Sequence, residues 1–291
     1  MSAVITTRGL TKRFGELTAV GNLDLEVQQG EVFGFLGPNG AGKTTTIRML
    51  LDILRPTSGT AEVLGRAPGD TSVRARIGFL PAELHLDRRY TVREAIDFLG
   101  ALRGGFDEVD VRTLLERFDL DPGRTIGDLS TGNRRKIGVT QAFAGRPELL
   151  ILDEPTSGLD PLLQHELLAL IEERVAAGAT VFLSSHVLPE VERVADRVAI
   201  MRRGELVSLG GIDEIHAQAR QQIDLHLAGA ADPSVFHGLP GVVAVSANGS
   251  VVSITIEGSI DPVIKRAAQL TVERVVSHET DLEDAFLDLY R

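Results

Sequence analysis

The 291-residue sequence contains no cysteine. That excludes disulfides, thiolate metal sites and cysteine nucleophiles, and it fits a reducing compartment. There is no excess of basic charge either: 30 Lys and Arg stand against 41 Asp and Glu, a formal net charge of −11. A field of that sign repels phosphate backbones and anionic lipid at long range, so nucleic acid is not expected as a partner. Long apolar runs are missing as well. Runs such as Val32–Leu36 and Leu149–Leu152 fall far short of the ~18 residues of a spanning helix. The first twenty residues lack the apolar core of a signal peptide. There is no internal repeat and no low-complexity tract. What remains, 43% hydrophobic and 24% charged, is the usage of a globular chain of one or two domains. The expectation at this point is a soluble, cytoplasmic protein.

Residues 31–54 change period sharply. Glu31–Leu36 (EVFGFL) is a short apolar run of strand formers, and GPNGAG (37–42) breaks it. Ile47, Leu50, Leu51 and Leu54 then fall on one helix face, which Pro56, Ser58 and Gly59 terminate. Helical patterns follow over Val92–Arg103, Val109–Phe118 and Asn133–Gly145. Apolar strands at Leu149–Leu152, Thr180–Leu183 and Arg197–Met201 flank a helix near Leu162–Ala176. Such alternation predicts a mostly parallel sheet with crossover helices.

The texture shifts after Gly211. Ile223, Leu225 and Leu227 alternate with polar residues, and two apolar runs flank Asn248-Gly249, a hairpin signal. A short helix is expected near Pro233–Gly238. Asp261-Pro262 reads as N-cap and first residue of a helix to Leu270, and Thr271–Val276 as a strand. Thr280 and Glu283 form a capping box ahead of Leu282, Phe286 and Leu289. The order β-α-β-β-α-β-α predicts a small α+β domain, ferredoxin-like if the sheet closes as usual.

Gly37-Pro38-Asn39-Gly40-Ala41-Gly42-Lys43-Thr44, with Thr45 next, fits G-x-x-x-x-G-K-S/T between a strand and a helix. Glycines let backbone N–H groups curl around phosphate oxygens, and the helix N-terminus adds partial positive charge. Lys43 would reach the β- and γ-phosphates, and Thr44 would offer its hydroxyl to Mg²⁺. The plain alternative is a glycine turn with an exposed lysine. Leu149–Leu152 ends in Asp153 and Glu154. Asp153 can hold Mg²⁺ there, and Glu154 can take a proton from an attacking water. Alone, this is equally a strand followed by an acidic turn.

Leu129-Ser130-Thr131-Gly132-Asn133 is similar to the LSGGQ signature of ABC ATPases, with Thr131 for the first glycine of the pair and Asn133 for Gln. Read alone, it is an ordinary helix cap. Arg134, Arg135 and Lys136 follow in the first turn, and a solvated basic face is expected for at least two of the three. The resemblance continues in order. Ser157-Gly158-Leu159-Asp160 resembles the D-loop that contacts an opposite subunit, His186 stands at the switch-histidine position, and Phe14 resembles the aromatic that stacks on adenine. This ordered set spans roughly residues 3–211 and resembles the ATP-binding subunit of an ABC transporter, of the exporter type with a separate permease.

The resemblance implies an α/β P-loop NTPase: a RecA-like core with antiparallel β and helical subdomains, the latter at about 86–145. Residues 1–211 would form the ATPase domain, and 212–291 an α+β accessory domain that braces or regulates a dimer. ATP and Mg²⁺ would be the cofactors, with Thr44 and Asp153 on the metal and Glu154 and His186 catalytic. ATP would lie between two subunits, the glycine loop of one facing Ser130, Gly132 and Asp160 of the other. A homodimer is permitted, and translocation falls to a membrane permease on another chain, against which the region around 80–105 would move. The protein would sit peripherally on the cytoplasmic face. One departure stands out: the family's Q-loop glutamine is Ala82 here, followed by Glu83. Either Glu83 substitutes or this loop only senses the permease; Glu83 is equally a plain surface acid.

Three rival classes are weaker. A chromosome-maintenance ATPase needs a long coiled coil that 86–130 has no room for. A translation-factor ATPase would carry two cassettes. A P-loop small-molecule kinase would lack residues 129–133 and the D-loop.

Overall fold

The computed structural model describes residues 2–212, 220–229 and 232–278. The chain divides into two compact units, Met1–Leu209 and Gly210–Arg291. The first runs β1 (Ala3–Phe14), β2 (Leu17–Gln28), β3 (Val32–Leu36), α1 (Lys43–Leu50), β4 (Ser58–Val63), α2 (Thr71–Arg74) and β5 (Ile77–Leu80). It continues with α3 (Val92–Leu102), α4 (Glu108–Arg117), α5 (Thr131–Phe143), β6 (Leu149–Asp153), α6 (Pro161–Ala176), β7 (Thr180–Ser185), α7 (Leu188–Glu192), β8 (Arg197–Arg202) and β9 (Glu205–Gly211).

Six strands form one sheet in the order β5-β6-β7-β3-β8-β9, and the four pairings from β5 to β8 are parallel. Every residue of β3, β6 and β7 is buried. That is why these strands read as continuous apolar runs: a parallel sheet is covered on both faces. Phe182 of β7 stacks on Phe33 at 5.9 Å and tilts against Phe35 at 5.1 Å. Truncating it to Ala would cost about 3–5 kcal/mol. The parallel register sets Leu36 beside Ser185 and Asp153 beside Ser184, so the carboxyl ends of β3, β6 and β7 meet at one edge. Ligands bind in that crevice in open α/β sheets.

A second sheet, order β2-β1-β4, is antiparallel and packs its apolar face into the core through Leu10, Val20, Leu23, Leu25 and Val27. Gly59 has φ +80°, and a Cβ there would stand 2.2 Å from the Gly9 carbonyl oxygen, so no side chain fits at this crossing of β1 and β4.

Helix starts follow their caps. Thr91 and Glu94 form a capping box at α3, Asp107 caps α4, Ser130 caps α5, and Asp160 caps α6 with Pro161 behind it. One helix is shorter than its pattern. α1 stops at Leu50, because Asp52 turns left-handed at φ 54° and Ile53 and Leu54 donate back to the Arg48 carbonyl at 2.9 and 3.0 Å. Leu51 and Leu54 still pack on the core, so the apolar spacing outlasts the helix.

The second unit has β10 (Arg220–Leu227), a 3₁₀ turn (Pro233–Phe236), β11 (Val242–Asn248), β12 (Val251–Glu257), α8 (Asp261–Ala267) and β13 (Val272–His278). Its sheet, order β11-β12-β10-β13, is antiparallel at every pairing, the arrangement of a split β-α-β-β-α-β motif. Ile223, Leu225, Val252, Ile254 and Ile256 pack with Phe236, Val263 and Ala267 in a separate core. Asp261 is the first helical residue and not the cap: Ile260 precedes it, and Asp261 instead pairs with Lys265 one turn on, at 2.7 Å. Thr280, Leu282, Glu283, Phe286 and Leu289 lie outside the described residues.

Candidate active site

The loop between β3 and α1 is shaped by its glycines. Gly42 has φ +106°, and a Cβ there would stand 2.5 Å from the Ala19 carbonyl oxygen. It precedes α1 without any side-chain cap, which leaves the first N–H groups of the helix facing the loop. The loop residues Pro38 to Thr45 line a cavity of about 410 Å³ together with Phe14, Leu17, Ala19, Ala82 and Glu154. Phe14 is 50% exposed at its mouth, with Lys12 Nζ 5.1 Å from the ring centre. A larger cavity of about 460 Å³, lined by Asp110, Arg117, Arg146 and Arg174, contains none of the predicted site residues.

Lys43 is 5% exposed. Its ammonium donates to the Gly37 carbonyl at 2.5 Å and to that of Pro38 at 3.3 Å, and lies 3.3 Å from Glu154 Oε1. A buried cation held by the loop's own carbonyls stands beside where the loop's N–H groups converge.

Asp153, 1% exposed at the end of β6, accepts from Thr44 Oγ1 at 2.9 Å and from Ser184 Oγ at 2.5 Å. One hydroxyl and one carboxylate thus meet 109 residues apart in sequence. Hard oxygen donors of this kind suit Mg²⁺, which keeps waters and phosphate oxygens in its remaining positions.

Glu154 has φ 48°, left-handed for a non-glycine residue. Such a conformation costs on the order of 1–3 kcal/mol and needs surrounding contacts to hold it. Its amide donates to the Ser184 carbonyl at 3.0 Å, and its Oε2 lies 2.7 Å from His186 Nδ1. One more carboxylate stands close by. Thr156 Oγ1 donates to Glu190, whose pKa burial pushes up, with the Glu154 charge raising it further.

Of the basic trio at the start of α5, Arg134 and Lys136 are partly exposed, whereas Arg135 is buried. Arg135 is 6% exposed. Its Nη1 donates to the carbonyls of Pro81 and Ala82 at 2.5 and 3.0 Å, and its Nη2 to those of Asp153 and Glu154 at 3.2 and 2.7 Å. Arg134 turns back on its own helix start, donating to the Leu129 carbonyl and to Thr131 Oγ1. Burial lowers the Arg135 pKa while the charges of Asp153 and Glu154 raise it.

The structure therefore brings Phe14, the loop 37–45, Asp153, Glu154 and His186 to one place. It does not bring Ser130, Gly132 or Asp160 to the cavity lining. Ser130 Oγ accepts from the Asn133 amide at 3.2 Å, and Asp160 from the Leu163 amide at 3.0 Å. Both are exposed, and a Cβ on Gly132 would stand 3.7 Å from the Gly158 carbonyl, so the two loops are neighbours. Ala82 lines the cavity, whereas Glu83 is exposed and outside its lining. The sequence reading missed Ser184, Glu190 and the burial of Arg135. Two serines closing an otherwise apolar strand, Ser184-Ser185, were the available signal for the first.

Residues 20–157 match the protein-family model described as ABC transporter. The chain is 32% identical to the bacitracin transport ATP-binding protein BcrA of Enterococcus faecalis, over 99% of this chain and 97% of that one. It is 40% identical to the daunorubicin resistance ATP-binding protein DrrA3 of Streptomyces coeruleorubidus, over 74% and 70%. Among solved structures, an ATP binding subunit of an ABC transporter is similar with a TM-score of 0.69 at 29% identity, covering 74% of this chain and 92% of that one. A cassette in a dimeric post-hydrolysis state with ADP and Pi shares the fold, with a TM-score of 0.65 at 22% identity, over 72% and 98%.

Proposed function

Because the chain belongs to the family of ABC transporter ATP-binding subunits, we propose that it hydrolyses ATP to power an exporter whose permease is a separate membrane chain. One observation carries this reading. Lys43, Thr44, Asp153, Glu154 and His186 converge at the carboxyl edge of three adjacent strands, beside a cavity of nucleotide size. The exporter direction is supported by relatives named for bacitracin transport and daunorubicin resistance.

In this reading Phe14 stacks on the adenine, and the N–H groups of Gly40 to Thr45 take the phosphate oxygens with Lys43. Thr44 and Asp153 would hold Mg²⁺, which supplies charge neutralisation on the phosphates. Glu154 accepts the proton of the attacking water on a carboxylate oxygen, and His186 keeps that carboxylate oriented through the Nδ1 contact. Ser130, Gly132 and Asp160 act on the nucleotide of a second copy of the chain, so ATP joins two subunits and its cleavage releases them. The second unit braces or regulates that pair. No helix among the described residues is long and apolar enough to cross a membrane. In this reading the chain attaches peripherally on the cytoplasmic face through the permease. The net charge of −11 argues against nucleic acid as a partner.

The test is ATP turnover by the purified chain, alone and with a co-purified membrane protein. Turnover that is absent in both conditions, with ATP bound, would sink the proposal.

A further inference from the structure

Arg135 is buried, at 6% exposed, yet its direct hydrogen-bond partners are all backbone. Four carbonyls from two segments some seventy residues apart accept from its two terminal nitrogens, while its buried Nε has no partner. One segment is the loop whose Ala82 lines the cavity; the other is the turn at the end of β6. Glu154 sits in that turn with a left-handed φ of 48°. The peptide before its Cα is pinned by the Ser184 carbonyl and the one after it by Arg135 Nη2. With both peptides held, the direction of the Glu154 side chain is set. Ala82 has no polar side chain to reach the carboxylates, and just past the end of the β5–β6 ladder at Leu80 and Leu152 this guanidinium ties the two segments together. It is planar, and so it transmits displacement as a rigid body.

We propose that Arg135 is a positioning residue for hydrolysis, tying the Glu154 turn to the Pro81-Ala82 loop so that the carboxylate is aimed only while that loop is in place. The inference rests on the reading of Glu154 as the group that takes the proton. It also answers the question Ala82 raises: a backbone tie stands where a glutamine side chain is expected.

The experiment compares Arg135→Lys, Glu154→Gln and the double variant, reading single-turnover hydrolysis, ATP affinity and thermal stability. A lysine keeps the charge but cannot bridge both segments. Arg135→Lys should lower the hydrolysis rate about 100-fold, the size of loss expected when a catalytic group is misplaced by ~1 Å. ATP affinity should stay within about twofold, and the double variant should be no slower than Glu154→Gln alone, because both changes disable one group. An ATP affinity that falls with the rate, or losses that multiply in the double variant, would overturn the proposal. If the lysine variant does not fold, Arg135→Gln, which keeps two amide donors, goes through the same comparison. Normal hydrolysis by Glu154→Gln alone would remove the reading of the base, and is seen separately in that single variant.

Discussion

His186 Nδ1 and Glu154 Oε2 lie 2.7 Å apart, although 32 residues separate them in sequence. They meet because β6 and β7 are parallel neighbours whose register puts Asp153 beside Ser184. The other Glu154 oxygen is 3.3 Å from Lys43 Nζ, so one carboxylate faces both a histidine and a buried lysine. A carboxylate so placed is held between Lys43 and His186, and in the proposed reading it accepts the proton of the attacking water.

Glu154→Gln keeps the shape of that group and removes its basicity. Hydrolysis should fall ~10²–10⁴-fold while ATP still binds. Size-exclusion chromatography with ATP and Mg²⁺ should then show a trapped dimer. A variant with normal turnover would take Glu154 out of the mechanism.

Lys43→Ala removes a charge-assisted contact to phosphate of ~1.5–3 kcal/mol. ATP affinity should drop about 10- to 150-fold. AMP, which lacks the distal phosphates, should bind the variant and the parent alike in a titration. Equal losses for the two nucleotides would mean that Lys43, buried against Gly37 and Glu154, acts through folding.

Ser130→Arg places bulk and charge at the start of α5 and removes its cap. The lost cap should lower stability by about 1 kcal/mol. ATP affinity of the monomer should be nearly unchanged, because Ser130 does not line that chain's own cavity. Hydrolysis that depends on the dimer should be abolished. An affinity loss as large as that of Lys43→Ala would show the segment working in cis.

Glu190 gives a dependence on pH. Its pKa is raised by burial, so the folded chain holds this proton more tightly than the unfolded chain. Its contribution to stability is complete below the ordinary carboxylate range and is lost as pH rises through the elevated folded value. Glu190→Gln cannot ionise. The melting temperature of the variant relative to the parent should therefore rise between acidic and neutral pH. A difference that stays constant across that range would contradict the assignment.

Much of the site is local and was legible for that reason. Gly37 to Thr45 and Leu149 to Glu154 are contiguous, and each chemistry is written in a few adjacent residues: glycines for backbone curvature, an apolar strand ending in carboxylates. The Asn248-Gly249 hairpin is local in the same sense, and β11 and β12 pair across it. Helix caps at Ser130 and Asp160 follow from one side chain and an amide three residues on.

What lay beyond the sequence depends on pairings between distant segments. The apolar spacing of Leu51 and Leu54 suited a longer α1, but both side chains reach the core from a turn, since burial constrains position and not helicity. Strand order, with β6 beside β7, brings His186 to Glu154; no local pattern encodes which strands become neighbours. Arg135 shows the same division most plainly. Its sequence neighbours, Arg134 and Lys136, suggest a solvated basic face, because charge is costly to bury. Only the assembled fold supplies the four carbonyls that accept from its guanidinium, and those acceptors make its burial tolerable.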